Sequence, residues 1–217
     1  MKKFKLTSEF IVDISGVKLF RIKALIEFGN VKAGDLGGYI EKEENLSHMG
    51  DAWVSDDARI SGNAQVFGNA QVFGNAQVFG DARVFGNARV FGNARVSGDA
   101  QVFGDAQVFG DAQVFGDAWV FGNARVSGNA RVSGDAQVFG DARVSGDKDY
   151  AYAHGFGSCN RTTTFFRLKD GDVGVRCGCF YGTLAQFRDK VCETHGETKK
   201  AQEYLMLADL MEIRFKN

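Results

Sequence analysis

The 217 residues carry 26 basic and 27 acidic side chains, so a net charge of −1 creates no overall field that would attract nucleic acid or an anionic membrane. The longest apolar runs fall far short of the roughly 20 residues that a membrane-spanning helix needs, and the start at Met1 has no apolar signal-peptide core. Four cysteines are too few for a disulfide framework, so the cytoplasm is the expected location.

Residues 1 to 51 predict a small amino-terminal β cap. Apolar side chains alternate from Phe20 to Phe28, which predicts a half-buried strand of about nine residues. Residues 10 to 14 are its expected partner, with Ser15 and Gly16 as the turn. Such a cap would cover the unpaired strand edges at one end of a repeat body.

Residues 52 to 147 repeat six residues sixteen times, in the form Ala-x-Val-(Phe/Ser)-Gly-(Asn/Asp). Only the first hexad lacks its glycine, and Ile60 alone replaces a valine. Ala and Val are two residues apart, so both point to one side of a short strand and line the interior. Gly followed by Asn or Asp turns a corner, because these residues tolerate a positive φ.

This pattern resembles the left-handed β-helix of hexapeptide-repeat proteins, in which three hexads form one triangular coil. The resemblance implies a parallel β-helix, and 96 residues at 18 per coil give about five coils. We therefore expect a mainly β chain, with the β cap before the helix and a further domain, residues 148 to 217, after it.

An uninterrupted column of aromatic side chains follows from the 18-residue period, because one (Phe/Ser) position is phenylalanine in every coil. The column contains Phe67, Phe85, Phe103, Phe121 and Phe139. Exterior apolar patches usually mark contact sites, so the column predicts an interface in a homo-oligomer, either a dimer or a trimer. The alternative to an interface is a ladder in which each ring stacks on the ring one coil away and covers the corner.

The best-known hexapeptide-repeat proteins are acyltransferases, and the resemblance implies a histidine general base and loops that interrupt the coils. The sixteen hexads here contain no His, Lys or Tyr and no inserted loop. His48 and His154 flank the repeat body at opposite ends and cannot share one site within a chain. The sequence thus favours a non-catalytic protein, without catalytic residues or a cofactor, and a CoA-dependent acyltransferase is the alternative.

Residues 148 to 217 predict a small α+β domain. Residues 162 to 168 and 173 to 180 are expected strands, joined by a turn at residues 169 to 172. Residues 183 to 195 fit an amphipathic helix with Thr183 as N-cap and Gly196 as its stop. A second helix is expected from 199 to 211, and the residues after it could instead form a closing strand.

The stretch after His154 is the best candidate ligand site. Exposed backbone N–H groups, arginines and hydrogen-bonding side chains together suit a small anionic or nucleotide-like ligand. The candidate residues are Gly157, Ser158, Asn160, Arg161, Thr162, Thr163 and Arg167. The alternative is an ordinary connecting loop. No metal is expected, because Cys177 and Cys179 lack the spacing of a zinc site.

The cap, the regular hexads and the segment Gly-Cys-Phe-Tyr-Gly-Thr-Leu at residues 178 to 184 resemble a group of phage- and prophage-type hexapeptide-repeat proteins. The resemblance implies a viral accessory role in the cytoplasm of a host cell. The leading hypothesis is an oligomeric binding protein that sequesters a nucleotide-like ligand or blocks a host defence protein. Neither nucleic acid nor a membrane is an expected partner.

Overall fold

A computed structural model describes residues 1–157 and 161–216. The chain begins with an antiparallel sheet of β1 (Phe4–Val12), β2 (Lys18–Ala24) and β3 (Leu36–Ile40), followed by a 3-10 turn at Glu43–Asn45. Strand β2 is shorter than predicted. It ends at Ala24 because the chain reverses soon afterwards, where Phe28 bridges to Val31 and Gly29 adopts a φ of +49°.

Sixteen strands of two residues, β4 to β19, form the repeat body. They are Trp53–Val54, Arg59–Ile60, Gln65–Val66, Gln71–Val72, Gln77–Val78, Arg83–Val84, Arg89–Val90, Arg95–Val96, Gln101–Val102, Gln107–Val108, Gln113–Val114, Trp119–Val120, Arg125–Val126, Arg131–Val132, Gln137–Val138 and Arg143–Val144. Each pairs in parallel with the strand three hexads away, which creates three faces. The predicted coil of 18 residues is confirmed.

The interior of this β-solenoid consists of the repeated Ala and Val side chains, and every one of these alanines is fully buried. A glycine forms the corner in every hexad except the first, where Asp56 takes this place. Gly86, for example, has a φ of +70°, and a Cβ atom there would lie 2.9 Å from the backbone nitrogen of Gly104 in the next coil. A side chain at this position would therefore strain the backbone and separate two coils.

The solenoid extends upstream of the first hexad. Strand β3 pairs in parallel with β5, so that Tyr39 lies beside Arg59 and Ile40 beside Ile60. Leu46 forms a parallel bridge to Val66 on another face. The solenoid therefore has about six turns, whereas the hexads alone indicated about five.

The carboxy-terminal region is a four-stranded antiparallel sheet with two helices. Its elements are β20 (Tyr150–Phe156), β21 (Arg161–Arg167), β22 (Val173–Cys177), β23 (Phe180–Thr183), α1 (Leu184–His195) and α2 (Lys199–Phe215). The α+β prediction is confirmed, and Thr183 caps α1 as expected, its hydroxyl accepting from the Gln186 N–H. No helix among the described residues is long and apolar enough to cross a membrane.

One element prediction for this region was wrong in detail, and one alternative is not observed in the part of the chain that the structure describes. The strand expected at residues 173 to 180 is two strands, because Gly178 takes a φ of +58° in a tight hairpin that pairs Cys177 with Phe180. The closing strand is absent from the described residues. Met211 and Phe215, four residues apart, both lie on the buried face of α2 and continue that helix.

Strand β21 joins the two parts of the molecule. Phe166 is buried in the same apolar core as the solenoid, whereas its neighbour Phe165 is buried with the two helices. Successive side chains of a strand point to opposite faces, so one strand contributes to both cores. This alternation determines where the predicted site residues lie.

Candidate ligand site in the carboxy-terminal domain

The predicted site residues of β21 are divided between the two faces of the sheet. Arg161, Thr163 and Arg167 share the parity of Phe165 and face the helices. Thr162 faces the other way, and its hydroxyl lies 2.9 Å from Nδ1 of His154. These residues are close together in the chain, but side chains alternate along a strand, so closeness in the chain does not place them in one site.

Arg167 lies at the far end of the strand from Arg161. They are six positions apart in the chain, which corresponds to roughly 20 Å in a β-strand. The Arg167 guanidinium donates to the carbonyl oxygens of Gly171 and Phe215, at 3.0 Å each, and so ties the end of α2 to the sheet. Arg167 therefore lies outside any site that contains Arg161.

The remaining candidates have structural contacts or lie outside the described residues. Thr163 is buried, and its hydroxyl lies 3.2 Å from the Cys177 sulfur. The backbone N–H of Gly157 donates to the Glu203 carboxylate at 2.8 Å. Ser158 and Asn160 lie outside the described residues. The described members of the predicted set therefore do not lie in a single cleft.

Arg161 lines a cavity of about 210 Å³ between the sheet and the two helices. Lys190 and His195 of α1 line the same cavity, so three side chains that carry or can acquire positive charge converge on it. The walls are largely apolar and are formed by Phe180, Phe187, Val191 and Tyr204.

The aromatic walls of this cavity are held in place by contacts between rings. Phe187 meets Tyr204 at 5.7 Å between ring centroids with an interplanar angle of 81°, and His195 lies 5.8 Å from the same tyrosine. Lys190 has one acidic neighbour, Glu193, at 2.9 Å on the exposed side of the helix. Apolar walls with a cationic rim suit a small ligand that has an apolar body and an anionic group.

Sequence reasoning assigned no ligand contact to Lys190 or His195. One signal was their position on α1, where Lys190 adjoins the buried Val191 and His195 stands at the end of the helix. A second signal was Gly178, because a Cβ atom there would overlap the Arg161 guanidinium. Only the packing of α1 against β21 brings these residues together.

The aromatic column of the solenoid is a stacked ladder. Phe67, Phe85, Phe103 and Phe121 stack with centroids 4.8 Å apart and nearly parallel planes. Phe139 ends the ladder and meets the ring edge of Tyr181. The rings are partly exposed, and Trp119, 39% exposed, lies edge-on beside Phe103 and Phe121. Self-stacking and surface exposure therefore coexist, and the interface stays a prediction.

The two histidines that flank the repeat body lie in different surroundings. His48 stacks on Phe4 in the amino-terminal cap and accepts the Lys3 N–H through Nδ1. His154 lies against the last coils, with Nδ1 3.7 Å from the Asp135 carboxylate. Within the described residues, no three His, Cys, Asp or Glu side chains form a group that would hold a metal ion.

Comparison with known protein families finds a match to the repeat. A family model described as YdcK beta solenoid repeat matches residues 58–74, 76–90, 88–104 and 124–136, all within the solenoid. No curated protein matches the chain. The match covers part of the repeat body and none of the carboxy-terminal domain. Together with the parallel stacked coils, it identifies the chain as a repeat protein of the β-solenoid type.

Proposed function

We propose that this chain is a non-catalytic binding protein that recognises a small anionic ligand in its carboxy-terminal domain. The observation that carries the proposal is the convergence of Arg161, Lys190 and His195 on one cavity with apolar walls. The solenoid is the rigid spacer in this proposal, and the Phe67–Phe139 column is the surface through which copies associate. Neither role requires chemistry from the hexads.

The biological setting that we propose is a phage-type accessory protein acting in the host cytoplasm. There it sequesters a nucleotide-like ligand or blocks a host protein. The support is the resemblance of the cap, hexads and residues 178 to 184 to phage-type repeat proteins. The cavity volume adds a restriction, since about 210 Å³ is below the roughly 300 Å³ at which drug-sized ligand pockets begin. The cavity therefore suits the anionic part of such a ligand.

Isothermal titration with ribose 5-phosphate tests the proposal. We expect binding by the unaltered chain and at least tenfold weaker binding by Arg161→Gln, which keeps a polar side chain but removes the charge and the planar donor fork. Arg176→Gln is the matched control, because Arg176 lies on the adjacent strand and contacts Gln137 and Phe139 on the solenoid side of the sheet. Equal affinity for both variants would exclude the Arg161 cavity.

A second candidate function is acyl transfer, and one contact favours it. Nδ1 of His154 lies close to Asp135 and Thr162, an arrangement that orients the ring and exposes Nε2 as a base. Acetyl-CoA separates the two functions. Tight binding of acetyl-CoA that is followed by turnover, and a loss of that turnover in His154→Ala, would favour the enzyme. A purely structural protein would bind neither acetyl-CoA nor the sugar phosphate.

A further inference from the structure

A larger groove lies where the last coils of the solenoid meet β20 and α2. Its volume is about 620 Å³, within the range of roughly 300 to 1,000 Å³ that is typical of small-molecule sites. The solenoid contributes Phe115 and Arg131, and α2 contributes Leu210 and Arg214. The groove shares no lining residue with the Arg161 cavity.

The charge of the groove is positive. The Arg131 guanidinium lies over the Phe115 ring, 5.7 Å from its centroid, and it carries N–H donors that suit an anionic group. One Arg214 nitrogen donates to the backbone oxygens of Asp147 and Tyr150, which positions the rest of that guanidinium. Among the described residues that line the groove, Asp147 is the one acidic residue. Its carboxylate accepts a hydrogen bond from the Arg131 backbone N–H.

Flat and apolar side chains form the rest of the lining. Tyr152 is 41% exposed and Leu210 is 55% exposed, so both present contact area to a bound molecule. The Tyr152 hydroxyl packs against the corner at Gly134, which fixes the direction of the ring. Aromatic faces beside guanidinium groups suit a planar ring that carries a negative charge.

We propose that this groove binds a small aromatic anion, with a mononucleotide as the best-fitting class. The ring of the ligand packs against Tyr152, Phe115 and Leu210, and its phosphate is held by Arg131 and Arg214. This groove differs in volume from the Arg161 cavity, which is about one third as large. The proposal stands independently of that cavity.

Isothermal titration with adenosine 5′-monophosphate tests the groove, and the repeat provides matched controls. Arg131→Gln should weaken binding at least tenfold. Arg95→Gln should leave it unchanged, because Arg95 occupies the same place in the repeat two coils upstream, away from the groove. Gln stands at this place in the neighbouring coil, as Gln113, so the solenoid accommodates both changes.

The aromatic half of the site has an equivalent pair of variants. Phe115→Ser should weaken binding of the nucleotide, and Phe79→Ser, in the same column two coils upstream, should not. Both adenosine and inorganic phosphate alone should bind more weakly than the nucleotide, because each lacks one half of the recognised group. Equal losses in Arg131→Gln and Arg95→Gln, or the absence of nucleotide binding, would overturn the proposal. If nucleotide binding were lost in Arg161→Gln alone, the nucleotide would bind in the smaller cavity instead.

Discussion

The ammonium group of Lys3 donates to the carbonyl oxygen of Ala52 at 2.7 Å and to that of Gly50 at 3.2 Å. Elsewhere in the solenoid, such carbonyl groups accept backbone N–H groups from the coil before, as Ala88 does from Gln71 at 2.9 Å. No coil precedes Ala52 at this corner, so a side chain supplies the donor. Lys3 thus completes the hydrogen bonding of the first coil.

Replacing Lys3 by Met should lower the free energy of unfolding by about 1 to 3 kcal/mol. The variant keeps much of the buried stem but leaves the two carbonyl groups without their donor, and unsatisfied buried groups cost about that much. Urea denaturation at pH 7 measures the change. A loss below about 0.5 kcal/mol would mean that water replaces the ammonium group without penalty.

The same residue should make stability depend on pH. Burial lowers the pKa of Lys3 from 10.5 to about 8, against a smaller opposing effect of Asp51. Between about pH 8 and 10.5 the unfolded chain therefore binds more protons than the folded chain, so stability contributed by this group rises with pH. The unaltered chain should gain stability relative to Lys3→Met across this window. Parallel curves for the two proteins would contradict the lowered pKa.

Asn45 has the equivalent role at a second corner. Its buried side-chain nitrogen donates to the carbonyl oxygens of Gly62 and Ala64 at 3.1 and 2.9 Å. Asn45→Asp replaces the donor by a buried carboxylate that faces two acceptors, so we expect a loss of about 2 to 4 kcal/mol at pH 7. Asn69→Asp is the control, because its exposed partner is an amide, Asn87, and the loss should stay below about 1 kcal/mol.

Gly86→Ala tests the corner geometry. Alanine at a φ of +70° costs about 1 to 2 kcal/mol, and the added Cβ atom lies 2.9 Å from the Gly104 nitrogen, so the total should exceed 2 kcal/mol. Gly146→Ala is the control at the same place in the last hexad. Gly146 has no positive φ and no atom within 4 Å of the added carbon. Similar melting temperatures for the two variants would contradict the coil contact.

The aromatic ladder should hold copies of the chain together. Changing Phe85, Phe103 and Phe121 to Ser should reduce the mass measured by light scattering to that of one chain, because an exposed apolar column is what an association surface would bury. Serine already occupies this position in other hexads, so the coil itself should remain folded.

The chain contains a second ladder that provides the control. Phe73, Phe91 and Phe109 stack with the same spacing, 4.8 to 4.9 Å, in another column. The same triple change there should leave the mass unaltered. If the mass stays the same after the first triple change as well, the Phe67–Phe139 column is only a covering ladder.

The sequence by itself determined the fold of residues 52 to 147. Each hexad repeats the same local requirement: Ala and Val on the inside, Gly at the corner and a coil of 18 residues. A slip of one residue would expose the apolar row, so the pattern specifies which side chains point inward. The same reasoning located Thr183 as a cap, since a cap depends on neighbours close in the chain.

Only the tertiary structure determined how the ends of the solenoid are closed and which residues line the cavity and the groove. Lys3 and Ala52 are 49 residues apart, and Arg131 and Arg214 are 83 apart, so no local pattern relates them. The alternation of β21 separated Arg161 from Arg167, and the packing of α1 added Lys190 and His195 to the cavity. Contacts between distant segments depend on how whole elements pack, and that packing is not periodic.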